Sequence, residues 1–485
     1  MAAMRWRCGL TLLLLLGSAP AGAASSGERV LESRAFARSA AAVPLGAGLR
    51  LEDVRVAETG ESLAFVLERF EVFAGGATIT VHGAKGETVV PAPANAYLRG
   101  WVEGQPGSRV FLAVRQDGAV QGVVQRGESL YLIGGDELVK DVSGVLQMQR
   151  VDPDLLKASP GSGFNCANDQ LARAGSSLPG AVFTKPPPAA VAKAAGAYTV
   201  RLAIESDYEF YLKFNSVPLA ASYVGNLIGY ASTIYQGQIN TNLVVQSISL
   251  WTTSSDPWAE TSTTCGLLEF GSYWNANRTT VPRTTAHFMS GKTNGGGVAW
   301  IGVLCASAFS ATQAELGVSC GTLPASGSFG GGYGYTGNLF GTFNINSPTV
   351  MWDIYAVSHE IGHNFDSPHS HCYAGIGGNP SPIDQCYQGE CGGTGCNCSS
   401  PTLPGPSGSG SGTIMSYCHL LSGSYSNITL TFGTSHPFGV QPGRESSLMS
   451  SYVSSLAAGN PACIGMFSDG FEGGAVPGPW SGKTP

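Results

Sequence analysis

The sequence predicts an α/β (α+β) unit that follows a smaller, β-rich module. Three observations lead to this prediction. Residues 25–175 contain short β-type runs separated by glycine-rich turns, residues 176–197 are rich in proline and alanine, and from residue 198 a strand, a helix and a second strand follow one another. Because strands that alternate with helices favour a mostly parallel sheet, the two parts of the chain belong to different fold classes.

The low content of charged residues and the negative net charge exclude several classes of protein. Charged residues make up only 12% of the 485 residues, against about 25% in an average protein, while the hydrophobic fraction of 43% is ordinary. These values exclude charge-driven disorder and a coiled coil. The net charge is −7, the pI is near 5.6 and no long basic run is present, so the chain lacks the positive surface that a phosphate backbone requires. We therefore expect no nucleic-acid partner.

Residues 1–24 have the pattern of a secretory signal peptide. Arg5 and Arg7 form a basic start, Leu10 to Leu16 form an apolar run, and Ala21 to Ala23 fit a small-residue cleavage site. The apolar run is far shorter than the roughly 18 residues that a membrane span needs. We expect a secreted, extracellular protein that passes through the periplasm and has no membrane anchor.

The cysteine count fits export into an oxidising compartment. Of 12 cysteines, Cys8 would leave with the signal peptide, and 11 remain. An odd number implies one unpaired thiol or an intermolecular bond, and Cys166 stands far from its nearest neighbour. The other ten are expected to form five disulfides of open connectivity: Cys265, Cys305, Cys320, Cys372, Cys386, Cys391, Cys396, Cys398, Cys418 and Cys463.

In the β-rich module, the predicted strands are short and the turns carry glycine. The stretch at 176–197, in which Lys185 precedes three prolines, has the composition of an exposed linker with a processing site. The clearest strand-like runs of the module are Ser62 to Phe73, Ala77 to His82, Val110 to Val114, Val120 to Gln125 and Ser129 to Ile133.

Beyond the linker, the hydrophobic pattern alternates between strand and helix periods. Tyr198 to Ile204 alternates as a strand, Val224 to Ile234 repeats at helical spacing, and Leu243 to Trp251 follows as a second strand. The glycine-rich apolar run Gly295 to Cys305 is predicted as an edge strand.

A further helix is predicted near residue 350. Ser347 and Pro348 offer a helix start, and apolar residues from Val350 to Ile361 repeat at steps of four, three and four. From residue 371 to Gly412 the chain is dense in cysteine, glycine, serine and proline, so we expect disulfides to replace a core there. Residues 463–485 are predicted as an extended C-terminal tail.

This helix carries the residues with the clearest chemistry. His359 and His363 are four residues apart, so both imidazoles project from one face and can hold a single Zn²⁺ at roughly 2.0–2.1 Å. Glu360 is rotated from His359 by about 100° around the helix. Its carboxylate can therefore reach a zinc-bound water rather than the metal, which is the position of a general base.

A catalytic zinc needs a third protein ligand and an open position. His369, six residues after His363, supplies the ligand if the chain turns directly after the helix. Such a turn normally needs glycine, but Asp366 can enter the left-handed region at modest cost, and Pro368 prevents further helix. His371 is a competing third ligand, although its offset breaks the pattern.

Together with Met415 in Gly412–Tyr417, this pattern of histidines and glutamate resembles the metzincin zinc metallopeptidases, in which a Met-turn lies beneath the metal. The residues His359–Phe365 look most like the adamalysin or reprolysin (ADAM-type) branch. The resemblance covers about residues 198–455, and its specific motifs occupy only two short stretches.

The resemblance implies a metzincin-like catalytic domain at 198–462 with a twisted mixed sheet and an HExxH active-site helix, preceded by a β-rich propeptide at 25–175. Gly295 to Cys305 would be an antiparallel edge strand that pairs with extended substrate by β-augmentation. Met415 would be a hydrophobic support and not a ligand.

Two further residues acquire roles from the resemblance. Tyr417 lies two residues after Met415, as does a tyrosine that stabilises the oxyanion in astacin-like and serralysin-like metzincins; the reprolysin branch generally lacks it, and a packing role stays open. Relatives keep their zymogens inactive by placing a propeptide cysteine on the metal, and Cys166 is the candidate here. The sequence around Cys166 departs from the usual motif, so an adventitious thiol or an intermolecular disulfide stays open.

These residues predict a secreted zinc metalloendopeptidase that is made as a zymogen, acts on proteins or peptides as a monomer and holds one catalytic Zn²⁺. The segment Met466–Glu472 looks like C-terminal tails on exported proteins of some Gram-negative bacteria, which favours a bacterial secreted form. A calcium ion is left open, with Glu205 and Asp207 as candidate ligands.

Three alternatives are left open at this point. A zinc-stabilised, non-catalytic adhesion or binding protein could use the same fold, although Glu360 argues against it because a structural site needs no base. A distant glutamate could replace His369 as the third ligand. A second zinc site could be built from cysteines, although disulfides are favoured in an exported chain; its candidates are Cys386, Cys391, Cys396 and Cys398.

Overall fold

The computed structural model describes residues 38–134, 146–158, 165–168, 197–343, 349–433 and 443–466. The predicted signal peptide, residues 176–196 of the linker and the tail after residue 466 lie outside the described residues. The chain divides into two compact units. The first consists of Met1–Glu71 and Ala94–Arg150, and the second consists of Val72–Pro93 and Val151–Pro485.

Strands and helices are numbered here along the chain. The strands are β1 Gly48–Val56, β2 Ser62–Phe70, β3 Phe73–Gly83, β4 Gly86–Pro91, β5 Ala96–Val102, β6 Gln105–Val114, β7 Val120–Arg126, β8 Ser129–Ile133, β9 Gln147–Arg150, β10 Asn165–Cys166, β11 Tyr198–Ser206, β12 Thr241–Trp251, β13 Thr285–Met289, β14 Gly296–Ala299, β15 Phe309–Thr312, β16 Ser326–Gly330, β17 Tyr333–Thr336 and β18 Gly465–Met466. The α-helices are α1 Pro153–Ala158, α2 Tyr208–Leu212, α3 Val217–Ile239, α4 Thr263–Asn277, α5 Thr349–Asn364 and α6 Arg444–Gly459. Short 3₁₀ turns cover Ser370–Cys372, Ile376–Gly378, Pro406–Gly408, Cys418–Leu420 and Ser424–Asn427.

The first unit is a closed sheet of seven strands, in the order β1, β2, β5, β6, β7, β8 and β9. Neighbouring strands are antiparallel, except that β9 closes the sheet by pairing in parallel with β1. Alternation places Leu63, Phe65 and Leu67 of β2 in the core, as a strand with one buried face requires.

The second unit contains a mixed sheet in the order β10, β14, β17, β13, β11, β12, β3, β4, with β18 paired to β11. The pairs of β11 with β12 and β13 are parallel, whereas β14 runs antiparallel to β17. The predicted mixed α/β fold is thus confirmed. Strand β11 is buried on both faces, as expected for a strand between parallel neighbours.

Strand β14 does not form the edge of the described sheet. Residues 165–166 lie beside it as β10, in parallel register, with Cys166 opposite Gly297. The run Gly295–Cys305 was predicted as an edge strand, and within the described residues its outer side is covered by the chain that precedes the linker.

Helix α3 supports the sheet from one face. Ser216 caps its N-terminus by accepting from Leu219 N–H, a proline occupies the first turn, and Asn240 ends it in a left-handed conformation at φ 55°. Most of its side chains are buried. Tyr235 reaches α5, where its hydroxyl donates to the Ser358 carbonyl at 2.8 Å.

The ten cysteines that follow the linker form five disulfides, which confirms the predicted number. Their pairs are Cys265–Cys320, Cys305–Cys463, Cys372–Cys396, Cys386–Cys418 and Cys391–Cys398. Cys166 is the free cysteine of the described chain, and it is buried. The bond from Cys305 to Cys463, followed by β18, fixes the first residues of the predicted tail to the sheet.

Among the described residues, the helices are all too short or too polar to cross a lipid bilayer.

Candidate metal centre

Helix α5 places two histidines on one buried face. His359 and His363 have no exposed surface, and their Nε2 atoms are 3.1 Å apart. The helix ends at Asn364, so His363 lies in its last turn and the site opens toward the loop that follows. The i, i+4 spacing of the sequence therefore translates directly into two converging imidazoles.

The second nitrogen of each ring fixes its tautomer. His359 Nδ1 donates to the Ile414 carbonyl and His363 Nδ1 donates to the Ser367 carbonyl, both at 2.7 Å. Since a carbonyl only accepts, the proton must be on Nδ1. Burial lowers the pKa of both histidines well below the usual range, so both rings are neutral. The two Nε2 lone pairs consequently face each other.

A sharp turn after α5 brings the third histidine to the same point. Asp366 adopts φ 71°, in the left-handed region, and its N–H donates to the His363 carbonyl at 2.9 Å. Aspartate tolerates this conformation better than most residues with a side chain. His369 follows in an extended conformation at φ −62° and ψ 146°.

His369 completes a cluster of four potential ligand atoms. The nitrogens of His359, His363 and His369 and the Cys166 sulfur all lie within 4.8 Å of one another. The Nε2 atom of His369 is buried without a hydrogen-bond partner. Its Nδ1 donates to both carboxylate oxygens of Glu390, at 3.1 and 3.0 Å.

These atoms fit a tetrahedral zinc ion. Zn–N bonds of roughly 2.0–2.1 Å in a tetrahedron place two nitrogens about 3.3 Å apart, close to the 3.1 Å between His359 and His363. Facing lone pairs and an orphaned buried nitrogen are costly unless a cation satisfies them. The chemistry of this donor set is thus that of a metal site with three imidazoles and a thiol.

Glu360 lies beside this cluster. Its Oε2 accepts from the Cys166 thiol at 3.5 Å, and its Oε1 is buried without a partner. Burial raises the pKa of Glu360 well above its usual range. The backbone of Gly297 passes so close to this carboxylate that a Cβ there would collide with Oε1, which explains why β14 needs glycine at this point.

Met415 packs beneath the helix. Its side chain is buried and lies against Gly362, where a Cβ would meet its sulfur. The Met415 carbonyl accepts from Ser370 N–H at 2.9 Å, directly after His369. This turn therefore joins α5 to the loop that carries the third histidine.

Tyr417 faces the same cluster from the loop side. Its ring centroid is 4.5 Å from that of His369, and its hydroxyl donates to the Cys166 carbonyl at 2.8 Å. The side chain is fully buried. Tyr417 is thus within reach of a carbonyl group that lies next to the histidines.

The segment 165–168 is held across the cluster by several groups. Ala167 N–H donates to the Gly297 carbonyl at 2.9 Å, and Ala299 N–H donates to Asn168 Oδ1 at 3.0 Å. The Cys166 sulfur is 3.4 Å from His363 Nε2. Burial and the nearby Glu360 charge raise the pKa of the thiol well above its usual range, so without a cation Cys166 stays protonated.

Glu390 is a residue of this site that the sequence analysis missed. It lies in the cysteine-rich loop and accepts from His371 Nε2 at 2.5 Å as well as from His369. Burial raises the pKa of Glu390, but the two histidines outweigh burial, and the net pKa is lowered. His371 is therefore a partner of Glu390 and lies outside the four-atom cluster. No spacing rule connects Glu390 to the histidines, because it lies about twenty residues further along in an irregular loop that two disulfides cross-link.

The two candidate calcium ligands each accept hydrogen bonds from protein donors. Glu205 accepts from Trp251 Nε1 at 3.1 Å and from Trp274 Nε1 at 2.9 Å. Asp207 caps α2 by accepting from Phe210 N–H at 2.8 Å and also accepts from Gly291 N–H. The alternative of a second zinc site also finds no support, since its four cysteines are all bound in disulfides.

Comparison with known proteins finds one family model that matches part of the chain. Residues 196–429 match the family model described as Reprolysin_5: Metallo-peptidase family M12. No curated protein matches the chain.

Two solved structures resemble parts of the chain. Metalloproteinase-II from Bacteroides fragilis matches with 11% identity and a TM-score of 0.33, covering 75% of this chain and 92% of its own. A chaperone–substrate complex matches with 12% identity and a TM-score of 0.24, covering 43% and 33%. Both TM-scores lie below 0.5, so neither likeness bears on the fold.

Proposed function

We propose that this protein is a secreted, zinc-dependent metalloendopeptidase made as a zymogen. The observation that carries the proposal is the convergence of His359, His363 and His369 on one buried point beside Glu360. The match to a metallopeptidase family over residues 196–429 supports the same reading. Five disulfides support export into an oxidising compartment.

The three histidines would hold zinc through their Nε2 atoms. When bound, zinc supplies Lewis acidity, which makes water acidic near neutral pH and polarises a peptide carbonyl. The carbonyls of Ile414 and Ser367 hold two of the rings in the tautomer whose Nε2 carries the lone pair that a metal binds.

Glu360 is the general base in this proposal. Its free Oε1 accepts the proton of the attacking water and passes it to the leaving amine. Burial raises the pKa of Glu360, which makes its carboxylate a stronger base. A zinc ion held by the three histidines would favour the ionised form of Glu360, with which the cycle begins.

Tyr417 donates to the Cys166 carbonyl next to the histidines. In the active enzyme the same hydroxyl would donate to the carbonyl oxygen of a substrate instead, where negative charge develops. Met415 supports the helix and the loop of His369 from below without binding the metal.

Cys166 would keep the enzyme inactive. Its sulfur lies 3.4 Å from His363 Nε2, where a thiolate would complete a four-ligand zinc site and leave no open position. Removal of residues 25–175 after a cut in the linker at 176–197 would open that position. The main alternative is a zinc-stabilised, non-catalytic secreted binding protein.

The test is hydrolysis of casein by zinc-loaded protein from which the N-terminal region has been removed. We expect wild type to cut casein and Glu360→Ala to lose at least about a hundredfold in rate, since general bases contribute about 10²–10⁴-fold. Asp353→Asn, another buried carboxylate of α5, is the matched control and should retain activity. If wild type with bound zinc and a verified absence of residue 166 does not cut, the binding-protein alternative holds.

A further inference from the structure

The hairpin of β3 and β4 belongs to the sheet of the second unit, although the sequence places it between strands of the first. We infer that this hairpin is a strand donor that keeps the N-terminal part of the chain bound to the peptidase sheet after the linker is cut. The linker cut rests on the proposed function. The attachment itself follows from the pairing described below.

The first step is the backbone pairing. Strand β3 pairs in parallel with β12 from Phe73 opposite Val245 to His82 opposite Trp251. The pairing is reinforced at both ends, where Val245 N–H donates to the Val72 carbonyl at 2.7 Å and Thr252 N–H donates to the His82 carbonyl at 3.0 Å. Without β3, strand β12 would be a long edge with unpaired backbone groups.

The second step is the side-chain contact at the end of β3. The His82 ring stacks on Trp251 with centroids 4.0 Å apart and planes 13° apart. His82 Nε2 also contacts Ser249 Oγ at 2.8 Å, and only 4% of the side chain is exposed. These contacts bury polar and aromatic groups of β12 that would otherwise face water.

The third step concerns the remaining side chains of the hairpin. Ile79 is 2% exposed and lies opposite Ile248 in the register. On β4, Glu87 pairs with Arg278 at the end of α4, at 3.5 Å, and with His82 at 3.1 Å. The hairpin thus contributes core residues and a charge pair to the second unit.

Because of its position in the chain, the paired hairpin attaches the N-terminal fragment to the second unit. The hairpin occupies residues 73–91, and the proposed processing site lies at 176–197, so every strand of the first unit and β10 stay on the N-terminal fragment. A cut in the linker breaks one peptide bond but none of the contacts between β3 and β12. The N-terminal fragment should therefore remain bound as a second, non-covalent chain.

The experiment uses the full chain with a specific protease site inserted within residues 176–196. Glu360→Ala prevents self-digestion, and Cys166→Ala removes the thiol from the cluster. After complete cutting, we expect the two fragments to co-elute on size exclusion under native conditions and to separate in concentrated guanidinium chloride. Separation under native conditions would overturn the inference. The result does not depend on zinc or activity, so it can fail or succeed independently of the proposed function.

Variants of the hairpin test whether it is the hairpin that holds the two fragments together. Ile79→Asp puts a charge into the core beside β12, and His82→Ala removes the ring on Trp251. We expect each to shorten the half-life of the cut complex at least about tenfold, whereas Val89→Thr, at the 65% exposed Val89 of β4, should leave it unchanged. Retention that is equal in all three variants would overturn the inference. If Ile79→Asp does not fold before cutting, the milder His82→Ala decides the outcome.

Discussion

The helical and the loop-borne parts of the metal centre are held in place by different means. His359 and His363 project from one helix, and each donates its Nδ1 proton to a backbone carbonyl. His369 lies in a loop and donates to a carboxylate, Glu390, which two disulfides of the cysteine-rich loop flank. Helical periodicity fixes a pair of ligands by itself, whereas a loop ligand needs covalent bridges and a charged partner.

The largest expected effect comes from removing a ligand. Structural zinc sites bind with about 10–16 kcal/mol, which over four ligands averages about 2.5–4 kcal/mol for each. We expect His363→Ala and His369→Ala each to weaken zinc binding by two orders of magnitude or more, measured by competition with a chelator. His371→Ala is the control outside the cluster. An equal loss of zinc affinity in His371→Ala would indicate that His371, and not His369 alone, acts as the third ligand.

The second prediction tests whether a disulfide of the cysteine-rich loop supports zinc binding as well as stability. Removal of the Cys386–Cys418 bond, which closes 32 residues and ends three residues after Met415, should cost about 3–4 kcal/mol in the free energy of unfolding. Both cysteines are replaced by alanine, and denaturation and zinc affinity are measured. Removal of the Cys265–Cys320 bond, which ties α4, is the matched control. We expect both to destabilise the fold but only the first to weaken zinc binding.

Glu390 offers a sharper test of the loop-borne half. Outer-shell partners of metal ligands typically change metal affinity by about 10–100-fold. We expect Glu390→Gln to weaken zinc binding within that range and to alter the visible spectrum of the cobalt-substituted protein. Asp353→Asn, which changes a buried carboxylate that accepts from Tyr223 and from the N–H groups of Phe340 and Gly341, should change neither. An unchanged cobalt spectrum in Glu390→Gln would mean that Glu390 only supports the loop.

Glu445 links stability to pH. It accepts from Ser370 at 2.5 Å and from Thr413 at 2.7 Å, next to the third histidine and the Met-turn, and burial raises its pKa to about 8. Between pH 4.5 and about 8 the folded chain retains a proton that the unfolded chain loses. Unfolding free energy should therefore fall as pH rises across this window, by up to about 1.4 kcal/mol per unit.

Glu445→Gln should flatten that fall, because glutamine does not titrate. The measurement is urea denaturation at several pH values. A slope that is the same in wild type and variant would exclude Glu445 as its source.

The smallest effect concerns the turn after α5. Asp366 sits at φ 71°, and glycine has no steric penalty there. We expect Asp366→Gly to change the free energy of unfolding by less than about 1 kcal/mol, with zinc affinity retained. Asp366→Val should be clearly worse, because a β-branched residue is strained at this φ. Similar stability in both variants would show that the turn tolerates any residue.

The helical half of the site could be read from the sequence because its geometry is local. The spacing of His359, Glu360 and His363 predicted their positions on the helix. His369 was predicted as the third ligand because Asp366 can adopt the left-handed conformation that the turn after the helix requires. Glu390 could not be found in this way, because it lies in an irregular loop whose path to His369 no periodicity predicts and whose disulfide connectivity the sequence leaves open. The roles assigned to these residues remain predictions that the experiments above would test.

In the fold, too, local features could be predicted from the sequence and long-range pairings could not. Runs with alternating or helical spacing of apolar residues indicated the strands and helices. The odd number of cysteines, together with the distance of Cys166 from the others in the sequence, indicated that Cys166 is unpaired. The partners of β3 and β4 could not be predicted, since period-two alternation defines a strand but does not say which sheet it joins. The pattern of β3 fits either unit of the chain.

The hairpin has a kinetic consequence for the Cys166 thiol. As long as β3 stays in the sheet, the segment that carries the thiol is tethered, so it meets the histidines at an effective concentration that the tether sets. A single cut in the linker leaves this concentration nearly unchanged, and dilution of the protein does not lower it. On the proposed function, cut enzyme would gain activity only after a lag, whose length is the lifetime of the pairing between β3 and β12.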